Sequence, residues 1–125
     1  MSTKTIYSII ESPLFPDLTD LCQSGQFKEL RFDSTRKAIS QLRKEIPDVV
    51  IGEFVYGYGN NYAGVNISNL DVFFYSLQKY APRARIIVVV EKGEREYVDK
   101  LAELFELHTV LTLPADKAEL VKSLE

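Results

Sequence analysis

Glu53 closes a short apolar run, Pro47-Asp48-Val49-Val50-Ile51-Gly52-Glu53-Phe54. An acid in that place is what a buried parallel strand delivers to the edge of a sheet, and in a doubly wound α/β sheet ligands and chemistry gather outside the carboxyl ends of the strands. A carboxylate there can attack a phosphoryl group or hold a divalent cation. Glu11, just before Ser12 and Pro13, follows another such run. Two carboxylates suffice for Mg²⁺ when waters and phosphate oxygens complete its shell. Lys92, shortly after a third apolar run, is a candidate counter-charge for Glu53, although a solvated loop lysine is the favoured reading, since exposed ion pairs contribute little. Glu53 also reads as an ordinary helix-cap or solvent contact, and Glu11 as a solvated acid beside a turn. His108 has no Ser, Cys or Asp in any recognisable motif around it and reads as a surface residue at the start of a strand. Cys22 falls on an apolar helical stripe and reads as core.

These residues need a scaffold, and the composition allows one ordinary core. The 125 residues are 46% hydrophobic and 26% charged, as expected of one globular domain spanning residues 1–125. The formal charge of -3 offers no basic field for a phosphate backbone, so nucleic acid is not an expected partner. With one Cys and one His, neither an internal disulfide nor a Cys/His zinc site can form, and a reducing cytoplasm is the expected compartment. No apolar run reaches membrane-spanning length, so no membrane association is expected. No metal or cofactor is expected either.

Five strands alternate with five helices. Thr5 to Ile10 is rich in β-branched and aromatic residues. The first helix is capped by Ser12, with Pro13 in its first turn, and carries Leu14, Leu18, Leu21 and Cys22 until Ser24 and Gly25 end it. Phe27 to Asp33 is the second strand, followed by a helix capped by Ser34 with Ile39, Leu42 and Ile46 on one stripe and closed by Pro47. Asp48 to Val55 and Ile86 to Val90 are continuous apolar runs of the kind buried on two faces. The helix between them carries Leu70, Phe73, Phe74, Leu77 and Tyr80 inward, with Asn69 as cap and Pro82 beyond its end, and leaves Val72 and Tyr75 outward. Glu94 to Leu107 is a helix on Val98, Leu101, Ala102 and Phe105, His108 to Leu113 is the fifth strand, and Asp116 with Glu119 opens a last helix at capping-box spacing. Strict alternation predicts a three-layer αβα domain. Its flavodoxin-like, doubly wound, five-stranded parallel sheet has the order 2-1-3-4-5.

One connection is far longer than a usual βα turn. Residues 56–68 read Tyr-Gly-Tyr-Gly-Asn-Asn-Tyr-Ala-Gly-Val-Asn-Ile-Ser. Its glycines and asparagines permit tight folding over the carboxyl edge, and Tyr56, Tyr58, Asn60, Asn61 and Tyr62 make it the sequence's best candidate for contacting a partner or ligand. Arg83 and Arg85, flanking the turn before the fourth strand, are solvated cations suited to an acidic surface.

The order of elements, with Pro-Asp-Val-Val-Ile-Gly-Glu at the third strand and Leu113-Pro114 after the fifth, resembles the response-regulator receiver domain of two-component signalling over nearly the whole chain. The resemblance puts the phosphoacceptor Asp position on Glu53. It leaves Glu11 alone of an acidic pair that binds Mg²⁺, and puts a phosphoryl-reading Thr or Ser on Val90. The Lys before a cis-proline candidate, Pro114, becomes Leu113, and the aromatic switch position falls near Val110. What it implies is a degenerate pseudo-receiver. A phosphorylated state would lack the ammonium that pairs with the phosphoryl group and the hydroxyl that reads it. Glu53 carries its charge about one methylene further than Asp would, which suits a permanently activated-like form.

A non-catalytic, stand-alone interaction module of phosphorelay-type signalling is therefore the leading expectation. It would dock to a sensor kinase, a phosphotransfer protein, another regulator or a copy of itself. The alternatives are a flavodoxin-like small-ligand binder, which the Ser12-Pro13 turn equips poorly for phosphate, and an atypical phosphoacceptor using Glu11 and Glu53 with Mg²⁺.

Overall fold

Buried β-branched runs form the centre of the molecule. The computed structural model describes residues 3–10, 23, 25, 27–55 and 70–124. Strands β1 (Lys4–Ile9), β2 (Phe27–Phe32), β3 (Val49–Phe54), β4 (Arg85–Glu91) and β5 (Thr109–Leu113) make one parallel sheet in the order β2-β1-β3-β4-β5, as the alternation predicts. The helices among the described residues are α1 (Thr35–Leu42), α2 (Asp71–Tyr80), α3 (Val98–Ala102) and α4 (Lys117–Leu124). The helix expected between Ser12 and Ser24 lies outside the described residues. Gly25, at the expected end of that helix, has a φ of +83°, which glycine adopts without steric cost.

Period-two alternation divides the sheet's side chains into two cores. Tyr7, Ile9, Val50, Phe54, Val88 and Val90 face α1, α2 and α3. Ile6, Ile10, Val49, Ile51, Ile87, Val89, Leu111 and Leu113 face the side covered by Leu120 and Leu124 of α4. Both faces of β3 and β4 are therefore dry, which is why their sequences are continuous rather than alternating. The first core is aromatic: Tyr7 lies 4.9 Å from Phe32, Phe73 lies 6.0 Å from Phe74, and Phe74 meets Phe105 edge-on at 5.3 Å. Such tilted contacts add to the area these rings remove from water.

Three boundaries differ from the sequence expectation. Ser34 caps α1 as expected, its Oγ accepting from the Lys37 backbone N–H at 3.3 Å. The helix nevertheless ends at Leu42, so Ile46 is 54% exposed rather than on a buried stripe. The cause lies in Glu45, which is drawn to the sheet. Its carbonyl accepts the Tyr7 hydroxyl, and its carboxylate meets Lys28 Nζ at 3.0 Å and Thr5 Oγ1 at 3.1 Å. The second difference is the segment expected as one helix from Glu94 to Leu107. It is a 3₁₀ turn over Lys92–Tyr97, a short α3, and a turn in which the Leu101 carbonyl accepts from both Leu104 and Phe105. Six mostly charged residues around Gly93 bury nothing that would hold an α-helix, while Phe105 is held between the rings of Phe74 and Tyr75. Third, α2 is preceded by Leu70 with no side-chain cap bond; Asn69 lies outside the described residues.

The amino edge of the sheet is fastened by Asp48. Its backbone N–H donates to the Thr5 carbonyl at 2.8 Å, its Oδ2 accepts from the Thr5 N–H at 2.8 Å, and its carbonyl accepts from the Arg85 N–H at 3.0 Å, so one residue joins β1, β3 and β4. Beside it, burial and the nearby Glu45 carboxylate push the Tyr7 hydroxyl up to about 12. The hydrogen bonds from Lys28 and Thr5 hold the Glu45 carboxyl below its usual range.

Candidate functional site

At the opposite edge, alternation decides which side chains can meet. Glu53 is the next-to-last residue of β3, half-buried, and in register with Val89 of β4. It shares the α4 side of the sheet with Val49 and Ile51. Gly52, one residue earlier, faces α2. A Cβ built there would stand 3.0 Å from Leu70 Cδ2, so the glycine is what lets the start of α2 seat directly on β3.

Val90 does not belong to Glu53's side. It is fully buried with Phe54, Val88 and the α2 rings on the other face of the sheet. The β4 residue two beyond Val89, and hence on the Glu53 side, is Glu91, which ends the strand and is exposed. Val90, the position that the resemblance gives to the phosphoryl-reading residue, thus lies on the other face, and the acid that ends β4 on the Glu53 side is Glu91. Sequence reasoning missed it because a run of three valines carries no alternation from which a face can be read.

Glu91 is in register with Leu113, the last residue of β5. Leu113 is only 6% exposed and packs with Val89, Leu111 and Leu120. The bond from Leu113 to Pro114 is cis. The described carboxyl edge on this face thus presents Glu53, Glu91 and a buried leucine. Val110, near the expected aromatic switch position, is half-buried against the first core.

The other candidates are dispersed or lie elsewhere. Glu11 and the loop residues Tyr56, Tyr58, Asn60, Asn61 and Tyr62 lie outside the described residues, as does Cys22. Lys92 is exposed at the start of the 3₁₀ turn. His108 is exposed, one residue before β5 at the far edge, and its backbone N–H donates to the Ile86 carbonyl at 2.7 Å. Val72 and Tyr75 are exposed as expected. Asp71, an acid in the first turn of α2 that sequence reasoning passed over, is 1% exposed and engaged by a partner. Its only signal in the sequence is its place in the first turn of a helix, where an acid complements the helix dipole. Among the described residues no group of three His, Cys, Asp or Glu could hold a metal ion, and no helix is long and apolar enough to cross a membrane.

No protein-family model and no curated protein matches the sequence. Solved structures do match. The signal receiver domain of an HD domain-containing protein from Pseudomonas fluorescens Pf-5 aligns over 98% of this chain and 92% of its own, with a TM-score of 0.70 and 16% identity. A response regulator receiver protein from Pseudomonas putida aligns over 99% of this chain and 97% of its own, at 0.69 and 14%. The REC domain of AraT, a response regulator from Geobacillus stearothermophilus, aligns over 97% and 89%, at 0.71 and 13%. Identities this low speak to architecture alone, and the architecture is clear: the chain has the fold of response-regulator receiver domains.

Proposed function

We propose that this chain is a receiver-like signalling module that acts by binding a protein partner and does not take up a phosphoryl group. One observation carries the reading: where β4 and β5 end in register, the chain places Glu91 opposite a buried Leu113. A transferred phosphoryl group carries charge on several oxygens, and holding it requires a cation or hydrogen-bond donors aimed at them. Here the described edge offers the exposed acid Glu91, whose charge opposes an incoming anion, beside Glu53, which is engaged by a partner, and Leu113, a side chain with neither charge nor donor. A metal held by Glu53 and Glu11 would offset part of that repulsion but would not supply the lost ammonium.

A module that does not react must act through its surface. The similar proteins are receiver domains of regulators, which supports a sensor kinase, a phosphotransfer protein, another regulator or a second copy of the chain as the partner, in the cytoplasm. The tyrosine-rich segment 56–68 is the preferred contact, because tyrosines bring large area at low entropic cost.

Titration with Mg²⁺ and beryllofluoride, followed by amide NMR, tests the reading. The expected result is no saturable shift at Glu53, Val89 or Glu91. Saturable shifts confined to those residues and requiring both reagents would overturn it.

A further inference from the structure

At the amino edge, far from Glu53, a cleft of about 660 Å³ opens between the end of α2 and the starts of β4 and β5. Its cause is a mismatch of strand starts. The first β4–β5 pair is Ile87 with Thr109, so Arg85 and Ile86 extend two residues beyond the edge of β5. The early end of α3 contributes as well, because residues 103–107 cross this edge as a turn instead of a continuous helix.

The chemistry of the lining is mixed in a particular way. Pro82, Ala84 and Leu107 give it apolar walls over the buried Leu77 and Ile86, and Arg83, Arg85 and His108 line it as nitrogen donors. Glu106 is the one acid of the lining. Lys28 pairs with Glu45, Lys37 with Asp33 and Arg95 with Asp99, away from this cleft. No ion pair or side-chain hydrogen bond is formed by Arg83, Arg85 or His108 among the described residues. In a chain of net charge -3, two arginines against the single acid Glu106 leave this one lining with a net positive charge, and His108 adds hydrogen-bonding nitrogens beside them. The volume lies within the roughly 300–1,000 Å³ of ordinary small-ligand sites.

We infer that this cleft binds a small organic anion, with a carboxylate or phosphate group on the Arg83, Arg85 and His108 side and an apolar body against Pro82, Ala84 and Leu107. Guanidinium groups favour such anions because their fork of donors matches two oxygens at once. The walls add affinity in proportion to the apolar area they take from water. The site is independent of the carboxyl edge, so it stands whether or not Glu53 accepts a phosphoryl group.

Amide NMR titrations with phenyl phosphate, benzoate and inorganic phosphate on the full chain test this. Saturable shifts at Ala84, Arg85, Leu107 and His108 are expected with phenyl phosphate or benzoate at a dissociation constant of about 1 mM or tighter. Which of the two binds better identifies the anionic group. Inorganic phosphate should bind at least about tenfold more weakly, since it leaves the walls wet. The double variant R83Q/R85Q should lose binding at least about tenfold with unchanged amide dispersion, and E106Q should tighten it about two- to threefold by removing the opposing charge. Neither aromatic anion saturating, inorganic phosphate binding as tightly, an undiminished R83Q/R85Q, or a weakened E106Q would each overturn the inference.

Discussion

Glu91 and Leu113 stand side by side where β4 and β5 end, in register across the parallel pair, with the carboxylate exposed and the leucine buried. The pairing makes Leu113 a core residue of the α4 side rather than part of a polar pocket. Its packing with Val89, Leu111 and Leu120 gives it a structural role that can be measured. Leu113→Ala is expected to lower unfolding free energy by about 2–4 kcal/mol, because a near-buried leucine leaves a cavity at this junction. Urea unfolding of both proteins at neutral pH checks it.

Gly52 and Leu70 make the second mechanical contact of the site. A Cβ at residue 52 would approach the Leu70 methyls to 3.0 and 3.1 Å, in a core where Leu70 is fully buried. Gly52→Val is therefore expected to cost roughly 1–3 kcal/mol through overpacking. Gly52→Val/Leu70→Ala should recover part of that loss. The double-mutant cycle, measured by chemical unfolding, separates this contact from a general intolerance of side chains in β3.

Asp48 holds three strands at the amino edge, and only one of its bonds uses the side chain. Asp48→Ala removes the acceptor for the Thr5 N–H and should cost about 1–2 kcal/mol. Asp48→Asn, which keeps an acceptor oxygen in place, should cost less than half as much. Thermal unfolding of the pair ranks them directly.

Tyr7 gives a pH signature. Its hydroxyl is pushed up to about 12 in the folded chain, from an ordinary value of 10.0, by burial and by Glu45. With the folded pKa raised, this contribution to stability is complete below about pH 10 and is lost as pH rises toward 12, where the unfolded chain ionises first. The loss attributable to Tyr7 over that window is roughly 2–3 kcal/mol. Tyr7→Phe has no proton to release, so its stability should fall less steeply across the same window. At pH 7 it should be the less stable protein by about 1 kcal/mol, for want of the bond to the Glu45 carbonyl.

Glu45 titrates in the other direction. Its carboxyl is lowered by the hydrogen bonds from Lys28 and Thr5, so its contribution is present above the ordinary Glu range and disappears as pH falls through the lowered value. Glu45→Gln should flatten the acid limb of the stability profile. It should also reduce the dependence on salt, because the Lys28 pair is solvent-exposed.

The strand order was legible in the sequence because buried β-branched runs such as Val49 to Ile51 and Ile86 to Val90 have few other uses. The Ser34 cap, the α2 stripe of Phe73, Phe74 and Leu77 and the outward Tyr75 were legible for a similar reason, since each follows a local rule. What could not be read locally was decided by tertiary contact. Ile46 leaves its stripe because Glu45 is tied to β1 and β2, and the helix expected to reach Leu107 stops at Ala102, with Phe105 seated between two rings. The site shows the same limit. The place of Glu53 at the end of β3 could be read from an acid ending an apolar run, but the faces of Val90 and Glu91 depend on strand register, and nothing within Val88-Val89-Val90 distinguishes one side from the other.

Intact-mass spectrometry after incubation with acetyl phosphate and Mg²⁺ tests the central claim most directly. An edge bearing Glu53, Glu91 and a buried Leu113 should leave the protein at its unmodified mass throughout. A stable adduct of one phosphoryl group that disappears in Glu53→Gln would contradict the account.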